Sequence, residues 1–279
     1  MMKKWNLIID VEHSVHAINA VLAAKDEYVG NDHPGYSAPL DEDNCDIMTV
    51  ERHVRGETPL VDSANLLKTC NHCDDAPCVK LGGDAVTKRD DGITIIDPVK
   101  AKGRRDIYES CPHNAIVWNE TLELPQIWTF DAHLLDQGWT KPRCVQSCAT
   151  GAIEAVKISD EEMQAKVQEE NLEVLRPDLK TQPRVYYKNL YRVNKCFIGG
   201  SVLTKINGVE ECLEGADVKI YQGNELVGSA VSDDFGEFKV DYLEPESGAY
   251  RVEISHPDFG SNAVDVELVD SLYLGIITL

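Results

Sequence analysis

The chain has 279 residues, long enough for two domains that each carry a core. Its 48 acidic against 27 basic residues leave a net charge of −21, which excludes the basic stripe of a nucleic-acid binder. Nine cysteines, an odd number in a chain too large to need bridges, argue against a secreted disulfide scaffold, and no stretch of eighteen apolar residues offers a membrane span.

The opening MMKKWNLIIDVEH has a short apolar run and then charge, so it reads as neither signal peptide nor membrane anchor. A reducing cytoplasm is the expected location, because free thiols persist there; a protein exported on a partner's signal would look the same. Trp5 to Val11 reads as a buried strand, and the alanine-rich SVHAINAVLAAKDEY as a helix. Residues 30–66 read as loop with one short strand near residues 47–52. Next comes CNHCDDAPC, with Cys70, Cys73 and Cys78, answered about thirty residues on by Cys111 in ESCP. A C-x2-C-x4-C triplet with a distant Cys-Pro is ferredoxin-type spacing for one four-iron cluster. A structural zinc knuckle uses the same soft ligands, but it pairs two C-x2-C halves, and here the second half is a single Cys-Pro.

Between the triplet and Cys111, GITIIDP reads as a strand stopped by proline. Asp97 suits an N-cap and Pro98 the first position of a short helix through VKAKGRRDIYES, which delivers Cys111. Strand AIVWN follows. This order is one ferredoxin half-unit. Ser159 and Glu162 form a capping box for a helix to about Leu172, and RPDLKTQPRVYYKNLY, broken by proline, reads as a segment wrapped over a surface. From Cys196, six or seven alternating segments separated by turn residues predict short strands in a sandwich or barrel. The expected fold class is α+β: a ferredoxin-like iron–sulfur domain over 1–158, a helix and tyrosine-rich linker over 159–195, and a small transthyretin- or immunoglobulin-like all-β domain over 196–279.

The runs CNHCDDAPC, DGITIIDPVKAKG, AHLLD and PRVYYKNLYR, with the CP turn, resemble the small-subunit family of pyrogallol–phloroglucinol transhydroxylase. More broadly, they are similar to iron–sulfur subunits that accompany molybdopterin enzymes of the dimethyl-sulfoxide-reductase type. The resemblance spans nearly the whole chain. It implies a non-catalytic subunit paired with a large catalytic subunit that holds a molybdenum (or tungsten) bis-pterin cofactor, in a heterodimer or a multiple of one. It also implies further cysteine quartets that this chain has lost. Ser14, Ala17, Ala20 and Ala24 stand where the family places its first quartet, and Trp128, Asp131, Cys144 and Cys148 where it places the last. Cys148 would belong with Ser14, Ala17 and Ala20, and Cys144 with Ala24, Trp128 and Asp131. One thiolate cannot hold a cube, so a family relay of three clusters is expected to shrink to one [4Fe-4S] cluster on Cys70, Cys73, Cys78 and Cys111. Trp128 and Phe130 are bulky enough to fill part of one vacated site, and the alanines let a helix approach closely in the other.

Cys144 and Cys148 read as buried thiols rather than a disulfide or metal pair; a mixed site with His13 or His16 has no motif behind it. Cys45, Cys196 and Cys212 have no ligand partners at recognisable spacing. His113 either tunes the cluster or faces solvent, and His133 with Asp136 either follows the family or satisfies a buried polar contact. Tyr186, Tyr187 and Tyr191 suit either an interface or the packing of the linker. No phosphate loop and no nucleophile–base pair appears, so no catalytic residue is assigned. The expectation is an electron-transfer or structural iron–sulfur subunit; the alternative is a scaffolding subunit whose metal is only a staple.

Overall fold

The structure, a computed structural model, describes residues 2–279, apart from the His16 side chain. The chain divides into two compact units: one runs to Arg52 and resumes from Asn65 to Leu190, and the other takes His53–Ala64 and Tyr191–Leu279.

In the first unit, β1 (Lys4–Asp10) leads through a 3-10 turn to α1 (Ile18–Tyr28). Strands β2 (Met48–Glu57) and β3 (Leu60–Thr69) then pair as a hairpin whose base belongs to this unit and whose tip belongs to the other. After α2 (Pro77–Gly82) come the short hairpin of β4 (Val86–Lys88) and β5 (Thr94–Ile96), and then α3 (Arg105–Glu109). A second short hairpin, β6 (Val117–Asn119) with β7 (Leu124–Gln126), precedes α4 (Ala132–Asp136) and α5 (Arg143–Gln146). Last are β8 (Ile153–Ile158), α6 (Asp160–Glu170) and β9 (Val185–Lys188).

β1 is the middle strand of a three-stranded sheet, antiparallel to β8 and parallel to β9. Being covered on both faces, it shows a near-continuous apolar run rather than an alternation. β9 corrects the surface reading of the tyrosine-rich stretch. Val185 and Tyr187 are buried, and the Tyr187 hydroxyl donates to the Leu67 carbonyl at 2.9 Å. Only four residues of strand sit there, and the prolines before them hide the pattern. Residues 30–66 likewise hold more strand than expected, because β2 and β3 are charged and lack clean alternation. The Ser159–Glu162 capping box forms as expected.

The helix expected to deliver Cys111 is broken in two. Asp97 Oδ1 caps one turn, accepting from the Val99 and Lys100 amides at 2.8 and 3.1 Å. Gly103, at φ +75°, then turns the chain out before α3 restarts the helix.

The second unit opens with α7 (Tyr191–Asn194) and continues through β10 (Cys196–Ile206), β11 (Val209–Cys212), β12 (Asp217–Gln222) and β13 (Glu225–Val231). It ends with β14 (Glu237–Leu243), β15 (Gly248–His256), β16 (Gly260–Leu268) and β17 (Leu272–Thr278). One sheet gathers β11, β14 and β17 on β10, and the other runs β13-β12-β15-β16. Alternate residues of both, including Ile198, Val202, Val218, Ile220, Val252 and Ile254, share one core. The two sheets are separate layers and neither closes into a barrel, which removes the barrel alternative. Among the described residues, no helix is long and apolar enough to cross a membrane.

Candidate metal centre

Cys70 leaves β3 directly, and the loop to Cys73 turns through His72 at φ +44°. Pro77 opens α2 and sets Cys78 in its first turn, while Cys111 follows α3 and is stiffened by Pro112. These separate elements bring all four predicted cysteines to the wall of one small cavity, shared with Ala76, Thr94, Ile116 and Ile127. Cys70 and Cys73 are buried, and Cys78 and Cys111 half-buried. Behind them lies an apolar cluster that includes Ala85, Val86, Ile96 and Ile107.

Each thiol lies within electrostatic reach of the other three. Burial, and then the neighbouring sulfurs, push Cys70 well above the ordinary thiol range. Burial also raises Cys73, and Cys78 is pushed up to about 11. Cys70, Cys73 and Cys78, whose ionisation burial and neighbouring sulfurs oppose, have an obvious remedy in a cationic centre, whose binding expels their protons. Nearby dipoles work the other way from burial, the His72 amide on Cys70, the Val79 amide on Cys78 and the Thr181 hydroxyl on Cys73. Three buried polar atoms without partners, Asn71 Oδ1, His72 Nε2 and Thr94 Oγ1, also belong to residues lining this cavity. A polar inorganic cluster fits such a wall better than an apolar side chain would.

The spacing separates a cluster from a single ion. In a zinc tetrahedron with 2.3 Å bonds the sulfurs are only about 3.8 Å apart. Among the described residues, no three cysteine sulfurs gather within 4.8 Å of one another. A cube, whose ligand sulfurs stand farther apart, matches this spacing better than one ion does.

Residues 61–158 match the family profile of a 4Fe-4S dicluster domain. Over 283 aligned residues, covering all of both chains, the sequence is 40% identical to the pyrogallol hydroxytransferase small subunit of Pelobacter acidigallici. The chain belongs to this small-subunit family. Two further relatives cover less of it. A tetrathionate reductase subunit of Salmonella typhimurium is 32% identical over 47% of this chain and 54% of its own length. A putative dimethyl sulfoxide reductase iron-sulfur subunit of Halobacterium salinarum is 27% identical, covering 67% of this chain and 80% of its own.

In this member of the pyrogallol hydroxytransferase small-subunit family, the positions read as lost ligands are occupied by packed protein. Trp128, fully buried, stacks on Phe130 with ring centroids 4.8 Å apart. The buried Asp131 carboxylate accepts from Tyr28 Oη at 2.8 Å, Trp128 Nε1 at 3.0 Å and the Arg143 amide at 2.7 Å. Burial raises the Asp131 pKa, and these three bonds oppose that rise. The Cys144 thiol is buried and pushed well up by burial and by Asp131. On the other side, Ala17, Ala20 and Ala24 are buried, and α5 lies close enough to α1 for Ser147 Oγ to donate to the Asn19 carbonyl at 3.3 Å. Ser14 Oγ donates to the Val11 and Asn65 carbonyls, and Cys148, half-buried, has its sulfur 3.7 Å from Thr150 Oγ1. All nine cysteines are free of disulfides.

The remaining candidates sort by contact. His113 is half-buried: its Nε2 lies 2.8 Å from Thr181 Oγ1, a hydroxyl that also acts on Cys73. Burial lowers its pKa. His133 Nε2 bonds Glu27 Oε1 at 2.7 Å and its ring stacks on His33 at 3.8 Å and 24°. His33 Nε2 also lies 3.7 Å from Glu27 Oε1, so the three side chains form one polar cluster. Asp136 bonds Arg89 and Tyr36 instead of His133. His13, exposed, bonds Asp10, and the His16 side chain lies outside the described residues. The sequence reading missed Thr181, which lies more than a hundred residues beyond Cys73 in a stretch with no motif.

Proposed function

We propose that this chain is the iron–sulfur small subunit of a heteromeric, molybdopterin-dependent transhydroxylase or hydroxylase acting on polyhydroxylated phenols. It would hold one [4Fe-4S] cluster on Cys70, Cys73, Cys78 and Cys111 and contribute no active site of its own. Catalysis would take place in a large subunit carrying the molybdenum or tungsten pterin cofactor, in the cytoplasm. The observation that carries the ligand set is the single cavity lined by all four mutually interacting thiols. When bound, the cluster supplies one-electron redox chemistry and a four-point cross-link. The single-cluster reading rests on ligand supply. Residues 61–158 contain six cysteines, two short of what two cubes need, and the two outside the quartet sit among the filled positions described above.

A staple role is favoured by a separate observation. Apart from β3, the elements around the cavity have three to six residues, so the cluster would add a tie to the apolar cluster behind them. Iron and sulfide quantitation on the complex should give about four of each per small subunit; a second cube's worth would defeat the assignment. Cys73→Ser divides the two roles. Lost activity with the complex intact points to redox, and lost association with the large subunit points to a staple.

A further inference from the structure

Behind the ligand loop lies a ladder of charge. Lys88, at the end of β4, donates from Nζ to the His72 carbonyl at 2.6 Å and to the Gly92 carbonyl at 2.6 Å, and pairs with Asp74 Oδ1 at 3.1 Å. The His72 carbonyl lies between Cys70 and Cys73, and Asp74 directly follows Cys73. Arg184, nearly buried, donates from Nε to Asp74 Oδ1 at 2.7 Å and from Nη1 to Asn6 Oδ1 at 3.0 Å. Its Nη2 meets Asp160 Oδ1 at 2.9 Å, and Lys4 closes the ladder on Asp160 at 2.8 Å and Asp74 at 3.4 Å. Gly92, at φ +86°, makes the approach possible, since a Cβ there would stand 3.0 Å from the Arg184 side chain.

The ladder holds three cations, Lys4, Lys88 and Arg184, against two carboxylates, Asp74 and Asp160. That local surplus of positive charge is placed behind the ligand loop of a chain whose net charge is −21. Of the three cations, Lys88 grips the loop's own backbone. Its charge also reaches the sulfurs, lowering the Cys73 pKa and being itself favoured by Cys70. Four thiolates make a [4Fe-4S] centre anionic, and reduction adds one more negative charge. A half-buried ammonium at the ligand loop is less screened than one at the surface, so it stabilises the reduced state more than the oxidised one.

We propose that Lys88, held by Asp74 and the His72 and Gly92 carbonyls, is a positioning residue that raises the reduction potential of the cluster. This rests on the assignment of that cluster to Cys70, Cys73, Cys78 and Cys111. The test is a redox titration followed by electron paramagnetic resonance on the full chain, purified without oxygen, with iron and sulfide measured first. Lys88→Met should bind iron like the wild type and titrate at a more negative potential. Lys88→Arg, which keeps the charge, should titrate with the wild type. Asp74→Asn, which leaves Lys88 and Arg184 less compensated, should move the other way. The opposed shifts are what a merely structural role cannot produce. A loaded Lys88→Met protein at the wild-type potential overturns the proposal. If Lys88→Met fails to load, Asp74→Asn decides: a positive shift supports the role of the charge, and no shift overturns it. A wild-type chain that binds no iron fails at the first assay and overturns the cluster assignment itself, separately from any potential.

Discussion

At the scale of single residues, the cluster cavity is tuned from a distance in the chain. The Thr181 hydroxyl lowers the Cys73 pKa and lies 2.8 Å from His113 Nε2, so an imidazole and a hydroxyl both stand beside one sulfur. Donors to a ligand sulfur favour the more negative, reduced cluster. Thr181→Val should therefore lower the cluster's potential and leave its iron content unchanged, at a stability cost of about 1 kcal/mol for the lost bonds. Redox titration and chemical unfolding read the two effects, and an unmoved potential would sink the first. Trp128 tests the opposite corner. It is fully buried at a position read as a lost ligand, so Trp128→Ala opens a cavity where the structure has closed one. The expected loss is about 4 kcal/mol, read from denaturant midpoints; a loss below about 1 kcal/mol would mean that the vacated site had never been filled. That Cys70, Cys73, Cys78 and Cys111 would share one cavity was legible in the sequence, because the spacing of three is local and proline marks the fourth. Thr181 and Lys88 were not, because neither belongs to a motif and only the folded chain brings them to the sulfurs.

At the scale of elements, the tip of the β2–β3 hairpin is held by charge as well as by the packing of Leu60 on Gly199 and of Phe197 on Gly56. Within the second unit, Asp62 meets Arg55 and Arg192, with Lys239 at 3.4 Å, and Asp241 lies 3.0 Å from Arg55 and 3.1 Å from Lys239. The Arg55 guanidinium also sits over the Phe197 ring at 5.4 Å. Although burial works against it, the Arg192 and Arg55 bonds hold the Asp62 carboxyl well below its ordinary value of 3.8. A carboxyl depressed in the folded state contributes stability that is complete above the ordinary value and is lost as pH falls below it. Asp62→Asn should thus cost about 3 kcal/mol near neutrality, by stranding buried cations. It should also flatten the acid dependence below about pH 4. Hydrogen exchange over His53–Ala64 and Tyr191–Leu279 reads both, and equal acid slopes in variant and wild type would count against the ion cluster. Only the start of this hairpin was visible, as the short strand near residues 47–52, because the rest of β2 carries charge on both faces and β3 lacks clean alternation. The strands β12 to β16 were visible because they alternate against a shared core. β9 was hidden by its shortness and by the prolines just before it, and its place in the first sheet depends on β1, far away in sequence.

At the scale of the whole molecule, a small subunit with one four-iron site is asked a different question from one with a relay. Relays work because successive centres are close, and the positions that would have carried the other centres here are occupied by Trp128, Asp131 and a tightly packed α1. Moving a hydroxyl group between two phenols exports no electrons overall, so such a reaction has no need of a conduit to the outside. A hydroxylase must discharge two electrons per turnover and cannot do without one. The proposed single cluster therefore sits more naturally with a transhydroxylase, where it tunes or braces the complex. Freeze-quench electron paramagnetic resonance on the complex during turnover of a polyhydroxylated phenol makes the choice. For transfer without export, the cluster signal should keep its resting intensity from the first turnover into the steady state. A signal that grows and decays at the rate of catalysis would instead assign the cluster an electron-carrying role, and with it a hydroxylase. Lys88→Met sharpens this readout: a conducting cluster made harder to reduce should slow catalysis, whereas a bracing one should leave the rate unchanged.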